Sequence, residues 1–252
     1  MNILITNDDS IYARGIRELA EALAQVAEIY IFAPDVQKSA CGHGITAREP
    51  IEVTAMDVPG TAGAWKVTGT PADCVKLGLD LLKKDGISVD MVFSGINHGA
   101  NLGTDVIYSG TVSGAIEGII NNIPSVAVSV DNHNPVHFET CRKMAVEAVR
   151  AAAGKLDGRT VLNINAPDIP HREIKGIRYT VQGPREYSAA FVPHPEAENT
   201  YVYAGAPVLY DNLPENMDVV AVQDGYVSIT PLQFDLTRHP LTGRLAEWGF
   251  AL

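Results

Sequence analysis

The chain has 252 residues, 46% of them hydrophobic and 19% charged, which is enough apolar material for one large α/β domain and argues against disorder. Asp and Glu number 30 against 19 Lys and Arg, a formal net charge of −11, so the surface opposes capture of a nucleic-acid backbone and polymeric nucleic acid is not an expected partner. Cys41, Cys74 and Cys141 form no CxxC pair, and no basic leader or long apolar run is present, so a disulfide framework, a cysteine zinc site and a membrane span are not expected, and the cytoplasm is the expected location.

In chain order, apolar runs predict strands at Ile3–Thr6, Ile29–Ala33, Ile51–Met56, Trp65–Gly69, Met91–Gly95, Val126–Val130 and Thr160–Ile164. Helical spacing fills the gaps. Ile16, Leu19, Ala20, Leu23 and Ala24 lay one apolar stripe after the first strand, and further helices are expected to begin at Pro71, at Thr111 and near Phe138. Thr70-Pro71 is an N-cap followed by Pro at the first helical position. Alternation of this kind predicts βαβ units and a mainly parallel sheet through about Pro167. Residues 168–252 differ, with strands expected at Ile177–Gly183, Ala189–Val192, Tyr201–Tyr203 and Val219–Ile229 and with turns between them. They read as hairpins projecting from residues 1–167 within a single domain. Tyr201-Val202-Tyr203 with Val208-Leu209-Tyr210 would give such a hairpin an exposed aromatic surface suited to subunit contact.

Asp8 and Asp9 stand where the first apolar run stops, the usual place for decisive groups in an open α/β sheet. Two adjacent carboxylates repel each other, and a hard divalent cation relieves the repulsion most directly. Turn formation or helix capping accounts for the same residues without any ligand. The loop after the second strand, residues 34–46, brings Ser39 as a hydroxyl donor, with Lys38 and His43 as candidates to meet a phosphate or a leaving group. Residues 94–111 are rich in Gly and Asn and run into a helical pattern, so Ser109-Gly110-Thr111 reads either as a phosphate cradle at a helix start or as Thr111 capping the helix while the glycines make turns. His133 and His137 have Pro135 between them, which argues against a helical zinc pair. GxxxxGK[ST], an early GxGxxG and GxSxG are all missing, which disfavours kinase, dehydrogenase and esterase chemistry.

Asn7-Asp8-Asp9, the Ser39 loop, Gly69-Thr70-Pro71-Ala72-Asp73-Cys74, Ser94-Gly95-Ile96-Asn97, Asn101-Leu102-Gly103, Tyr108-Ser109-Gly110-Thr111 and residues 225–232 together resemble the SurE family of 5′/3′-nucleotidases. The resemblance implies a Rossmann-like α/β body, a mainly parallel sheet with helices on both faces, and C-terminal β-hairpins that take part in a homodimer or homotetramer. It also implies a phosphomonoesterase acting on nucleoside monophosphates, with some members acting on short polyphosphate, and one divalent cation per subunit, Mg²⁺ or Mn²⁺. Carried over by position, Asp8, Asp9, Ser39 and Asn97 would hold the cation; Asn97, Ser109, Gly110 and Thr111 would meet the phosphate; and Asp8 and Asp9 would be the catalytic acids. Ser10 and Ala40-Cys41 depart from the small or glycine residues usual in the family. The competing class is a receiver-like signalling module, which shares an acidic pair after the first strand but performs no turnover.

Overall fold

The first strand, β1 (Asn2–Thr6), is covered on both sides, as its unbroken apolar run requires. Ile3 and Ile5 pack in one cluster and Leu4 in another. The computed structural model describes residues 1–152, 154–188, 191–208 and 212–249. After β1 come α1 (Arg14–Leu23), β2 (Glu28–Pro34), β3 (Val53–Met56), β4 (Gly63–Val67), α2 (Pro71–Lys84), β5 (Met91–His98), α3 (Gly110–Ile120), β6 (Ser125–Asp131), α4 (Glu139–Ala152) and β7 (Val161–Pro167). The remainder holds β8 (Ile177–Tyr179), β9 (Tyr187–Ser188), β10 (Phe191–Pro193), β11 (Tyr201–Tyr203), β12 (Ala206–Pro207), α5 (Asp218–Gln223), β13 (Val227–Leu232) and α6 (His239–Thr242).

The main sheet runs β3-β4-β2-β1-β5-β6-β7-β13-β8. Only β3–β4 and β7–β13 pair antiparallel within it. Helices cover both faces, as expected: α1 and α4 pack with Ile3, Ile5 and Phe93, while α2 packs with Leu4, Phe32 and Val92. The chain leaves β1 in one direction toward β2 and returns on the other side as β5. The crevice between the carboxyl ends of β1 and β5 is therefore a topological switch point, where open α/β sheets bind ligands.

α3 reaches that crevice because of its glycines. Gly110, Gly114 and Gly118 recur every four residues and so share one side of the helix. A Cβ at Gly114 would lie 2.7 Å from Thr6 Cγ2 and 3.0 Å from Ser94 Oγ, and one at Gly118 would strike Ser125 Oγ and stand 2.9 Å from Val92 Cβ. The helix thus lies against the sheet at a distance that no side chain permits.

Three expectations are corrected. Val219–Ile229 is not one strand: its first part is α5, and the strand comes later, as β13. The β-branched run of valines reads as a strand by propensity, but Asp218 ties Val219 N, Gly183 N and Gly103 N to its buried carboxylate at 2.8 Å each and starts a helical turn instead. Nor do β8 and β13 project as hairpins, for they extend the main sheet beyond β7. The third correction concerns Tyr201–Tyr203, which pairs antiparallel with Phe191–Pro193. Of Val208-Leu209-Tyr210, the other half of the expected hairpin, Val208 donates its N–H to Glu186 O at 2.8 Å, while Leu209 and Tyr210 lie outside the described residues, as do Ala189 and Ala190. The smaller hairpin pairings, β10–β11 and β9–β12, are antiparallel.

In an ordinary helix interior, Gly→Ala gains roughly 1 kcal/mol through propensity. At Gly118 the sign should reverse: the Gly118→Ala variant is expected to lose about 1–3 kcal/mol through overpacking against Val92 and Ser125, measured as a lower urea midpoint with an unchanged slope.

Candidate active site

β1 ends in Thr6, and the next three residues turn sharply enough to point two acids at the switch point. Asn7 Nδ2 donates to Ser10 O at 2.8 Å, closing the turn, and Ser10 takes a φ of 91°. Asp8 is buried, and its Oδ1 accepts the Thr111 hydroxyl at 2.6 Å. Asp9 is half-buried, and its Oδ2 accepts the backbone N–H of His98 at 2.9 Å. One acid is therefore held by α3 and the other by the end of β5.

Asn97 was expected in the loop after Gly95, but β5 continues through His98 with a register shift between Gly95 and Asn97. This shift carries Asn97 to the strand's end beside the Asp9 contact, where its Nδ2 donates to Gly99 O at 2.7 Å. Ser39 is exposed and reaches the pair through Gln37, whose Nε2 donates to Ser39 Oγ at 2.9 Å and, more weakly, to Asp9 Oδ1 at 3.4 Å. Lys38 contributes its backbone, donating N–H to Asp8 O at 2.7 Å. His43 Nε2 faces the buried Glu117 Oε2 at 3.0 Å.

α3 begins at Gly110, one residue before the expected start, and Ser109 is its N-cap, with Oγ accepting Val112 N–H at 3.0 Å. The Ser109 hydroxyl hydrogen stays free to donate. Thr111, the expected capping alternative, instead spends its hydroxyl on Asp8. Gly110 is the contact between helix and acid: a Cβ there would sit 2.8 Å from Asp8 Cβ and 2.9 Å from Asp8 Oδ2. The N–H groups of this first turn have no intrahelical partner and carry the positive end of the helix dipole. Asp8, Asp9, Ser39, Asn97, Ser109, Gly110 and Thr111 are thus all gathered at the β1–β5 crevice or on the elements bonded to it.

Burial pushes the Asp8 carboxyl up to about 6; the Thr111 hydroxyl opposes this, and the Asp9 charge adds to it. A buried acid facing a like charge is the arrangement that a hard cation relieves. Among the described residues no three His, Cys, Asp or Glu side chains converge on one point, and the side chains bonded to the acid pair, Thr111 and Gln37, are neutral. Asn7 Oδ1, beside Asp8 in sequence, is buried without a partner. Clefts of about 490 Å³ by Leu79, Lys83 and Asn121 and about 510 Å³ by Arg14, Phe138 and His171 lie elsewhere and contain none of these groups. Among the described residues no helix is long and apolar enough to cross a membrane.

The sequence reading missed Gln37, the His98 N–H and the Glu117 contact to His43. The first two act through a bridge and a backbone group that no motif signals, and the third joins residues 74 positions apart.

A doubly wound sheet carrying an acid pair and a helix N-terminus at its switch point defines an α/β protein with an oxygen-lined site suited to an anionic ligand and a hard cation. Known proteins of this build match it directly. The family model described as Survival protein SurE matches residues 3–189. The chain is 46% identical over 247 residues to the 5′-nucleotidase SurE of Syntrophomonas wolfei, covering 96% of this chain and 92% of that one. It is 48% identical over 251 residues to that of Pelotomaculum thermopropionicum, covering 98% and 95%. The crystal structure of the SurE protein from Aquifex aeolicus superposes with a TM-score of 0.85 at 37% identity, covering 98% of this chain and 99% of that one. The chain belongs to the SurE family. Nothing in these matches favours the receiver-like alternative.

The Asp8 shift has a consequence for stability. A carboxyl raised in the folded state above its ordinary 3.8 favours folding below about pH 4, and that contribution is lost as pH rises through about 6, a penalty on the order of 3 kcal/mol near neutrality. In excess chelator, Asp8→Asn should therefore melt above the wild type near pH 8, with the gap closing toward pH 4. Equal melting curves for the two proteins at both pH values would contradict a raised Asp8 carboxyl.

Proposed function

We propose that the chain hydrolyses nucleoside monophosphates to nucleoside and phosphate with the help of a bound divalent cation. Support comes from the Asp8–Asp9 pair set against the N-terminus of α3, with Thr111 Oγ1 2.6 Å from Asp8 Oδ1, in a chain whose relatives are named 5′-nucleotidases. Asp8, Asp9, Ser39 and Asn97 are the residues we assign to the cation, Mg²⁺ or Mn²⁺, one per subunit. When bound there it supplies positive charge that polarises the phosphoryl group and acidifies a water.

The chain's own groups do the rest. Asp8, gripped by Thr111 and pressed against Gly110, holds a fixed position through the reaction. Asp9 is the less buried acid, and its Oδ1, weakly held by Gln37, is placed to accept a hydrogen bond from the attacking water and orient it. The first-turn N–H groups of Gly110 and Thr111, with the free hydroxyl hydrogen of Ser109, are donors for the equatorial phosphate oxygens as charge builds on them. Asn97 lies at the other wall, on β5. Because His43 Nε2 is directed to Glu117, we assign the proton for the leaving nucleoside oxygen to solvent. Action on both 5′ and 3′ esters and on short polyphosphate belongs to this reading, since the donors described all address phosphate.

Exposed Phe191, Tyr201 and Tyr203 on the β10–β11 hairpin, 68%, 63% and 58% accessible, support a homodimer or homotetramer, and we assign the protein to the cytoplasm.

The decisive measurement is phosphate release from a panel of 5′- and 3′-nucleotides with Mn²⁺ or Mg²⁺. Turnover is expected with either cation, lost reversibly in EDTA, and lowered roughly 10²–10³-fold by Asp8→Asn with the circular dichroism of the fold retained. Full activity in excess EDTA would overturn the cation assignment.

A further inference from the structure

Gly69-Thr70-Pro71-Ala72-Asp73 explains itself as a helix start, yet its side chains do more than cap α2. Thr70 and Asp73 form a reciprocal capping box, each side chain bonded to the other's backbone N–H. Asp73 then spends its carboxylate a second time, accepting from Thr46 N at 3.0 Å through Oδ1 and from Thr46 Oγ1 at 2.7 Å through Oδ2. The Thr70 hydroxyl donates to Gly44 O at 2.7 Å. Gly69 leaves the room for this, because a Cβ there would stand 2.7 Å from Asp73 Cβ and 2.9 Å from its Oδ2.

Gly44 and Thr46 close the loop that begins at Lys38 and carries Ser39. That loop has no strand or helix of its own. Its near end is tied to the backbone of Asp8 through Lys38 N, its middle to Tyr108 O through Gly42 N at 3.0 Å, and its far side to α3 through His43 and Glu117. Glu117 is itself steadied by Lys76 Nζ at 2.8 Å, so α2 and α3 both take hold of the same loop. Asp73 is 5% exposed and the Glu117 side chain 3%. Burying two carboxylates is costly unless their hydrogen bonds are made, and the loop supplies partners to both.

We propose that Asp73 is a positioning residue of the nucleotidase site, clamping the far end of the Ser39 loop through Thr46 so that Ser39 is presented to the acid pair. The capping box of α2 is then also the fixture of the cation-binding loop. This rests on the cation assignment made above for Ser39, and the experiment separates the two.

Thr46→Val removes one hydrogen bond from the loop to Asp73 and leaves the capping box of α2 intact, whereas Asp73→Asn weakens both. Mn²⁺ affinity by titration calorimetry and amide hydrogen exchange over residues 38–46 are the readouts, on the full chain. Thr46→Val is expected to weaken Mn²⁺ binding several-fold and Asp73→Asn roughly tenfold. Exchange should rise over Ser39–Gly44 in both, with Thr46→Ser restoring the wild-type values. Wild-type affinity and wild-type exchange in Thr46→Val and Asp73→Asn would overturn the clamp. Absence of Mn²⁺ binding by the wild type would instead overturn the cation assignment on which the clamp rests.

Discussion

The approach of α3 to the sheet is the contact on which the site depends. Gly110, Gly114 and Gly118 allow the helix to settle on β1 and β5, and only at that distance does its N-terminus meet Asp8. The hydroxyl of Thr111 then reaches Asp8, and the first turn of the helix shares the crevice with the acids. A helix held off by ordinary side chains would leave the acid pair and the anion-binding end of the helix as two separate features. Here they form one site, with the acid directly against the positive end of the helix.

That arrangement has a thermodynamic cost. Asp8 is buried beside Asp9, and both burial and the neighbouring charge work against its ionised form. Asn7 Oδ1, next in the chain, is buried with no partner. Groups so placed persist because the surrounding fold holds them, and here the hold is extensive: a nine-stranded sheet with helices on both faces. The same fold supplies the neutral donors around the acids, through the backbone of His98, the amide of Gln37 and the loop that α2 and α3 grip together. Stability is surrendered at the carboxyl ends of β1 and β5 and recovered in the layers behind them.

Much of this was legible beforehand, for identifiable reasons. Strands buried on both faces leave runs such as Ile3-Leu4-Ile5, and covering helices leave stripes such as Ile16, Leu19 and Leu23, so the α/β alternation and the start of α2 at Thr70-Pro71 could be read directly. The acids after β1 and the helix start near Ser109 were visible as chemistry at predictable places in such a sheet. Propensity failed at Val219-Val220-Ala221-Val222, where the buried carboxylate of the adjoining Asp218, tied to the N–H groups of Val219, Gly183 and Gly103, starts a helical turn. It also stopped β5 too early, because the register shift that carries Asn97 to the strand's end arises from pairing with β6.

The sequence by itself determined the class of fold, the family motifs and the identity of the donors, since each of these is written in local periodicity or in residues a few positions apart. Tertiary structure alone decided which of those donors meet. Asp8 and Thr111 are 103 residues apart, Asp9 and the His98 N–H are 89 apart, and Asp73 and Thr46 are 27 apart. No local pattern records such pairings, because they follow from strand order and from how closely two helices approach one sheet. The two acids, indistinguishable as neighbours in sequence, become different only there: Asp8 is drawn under α3, and Asp9 stays open toward the Ser39 loop.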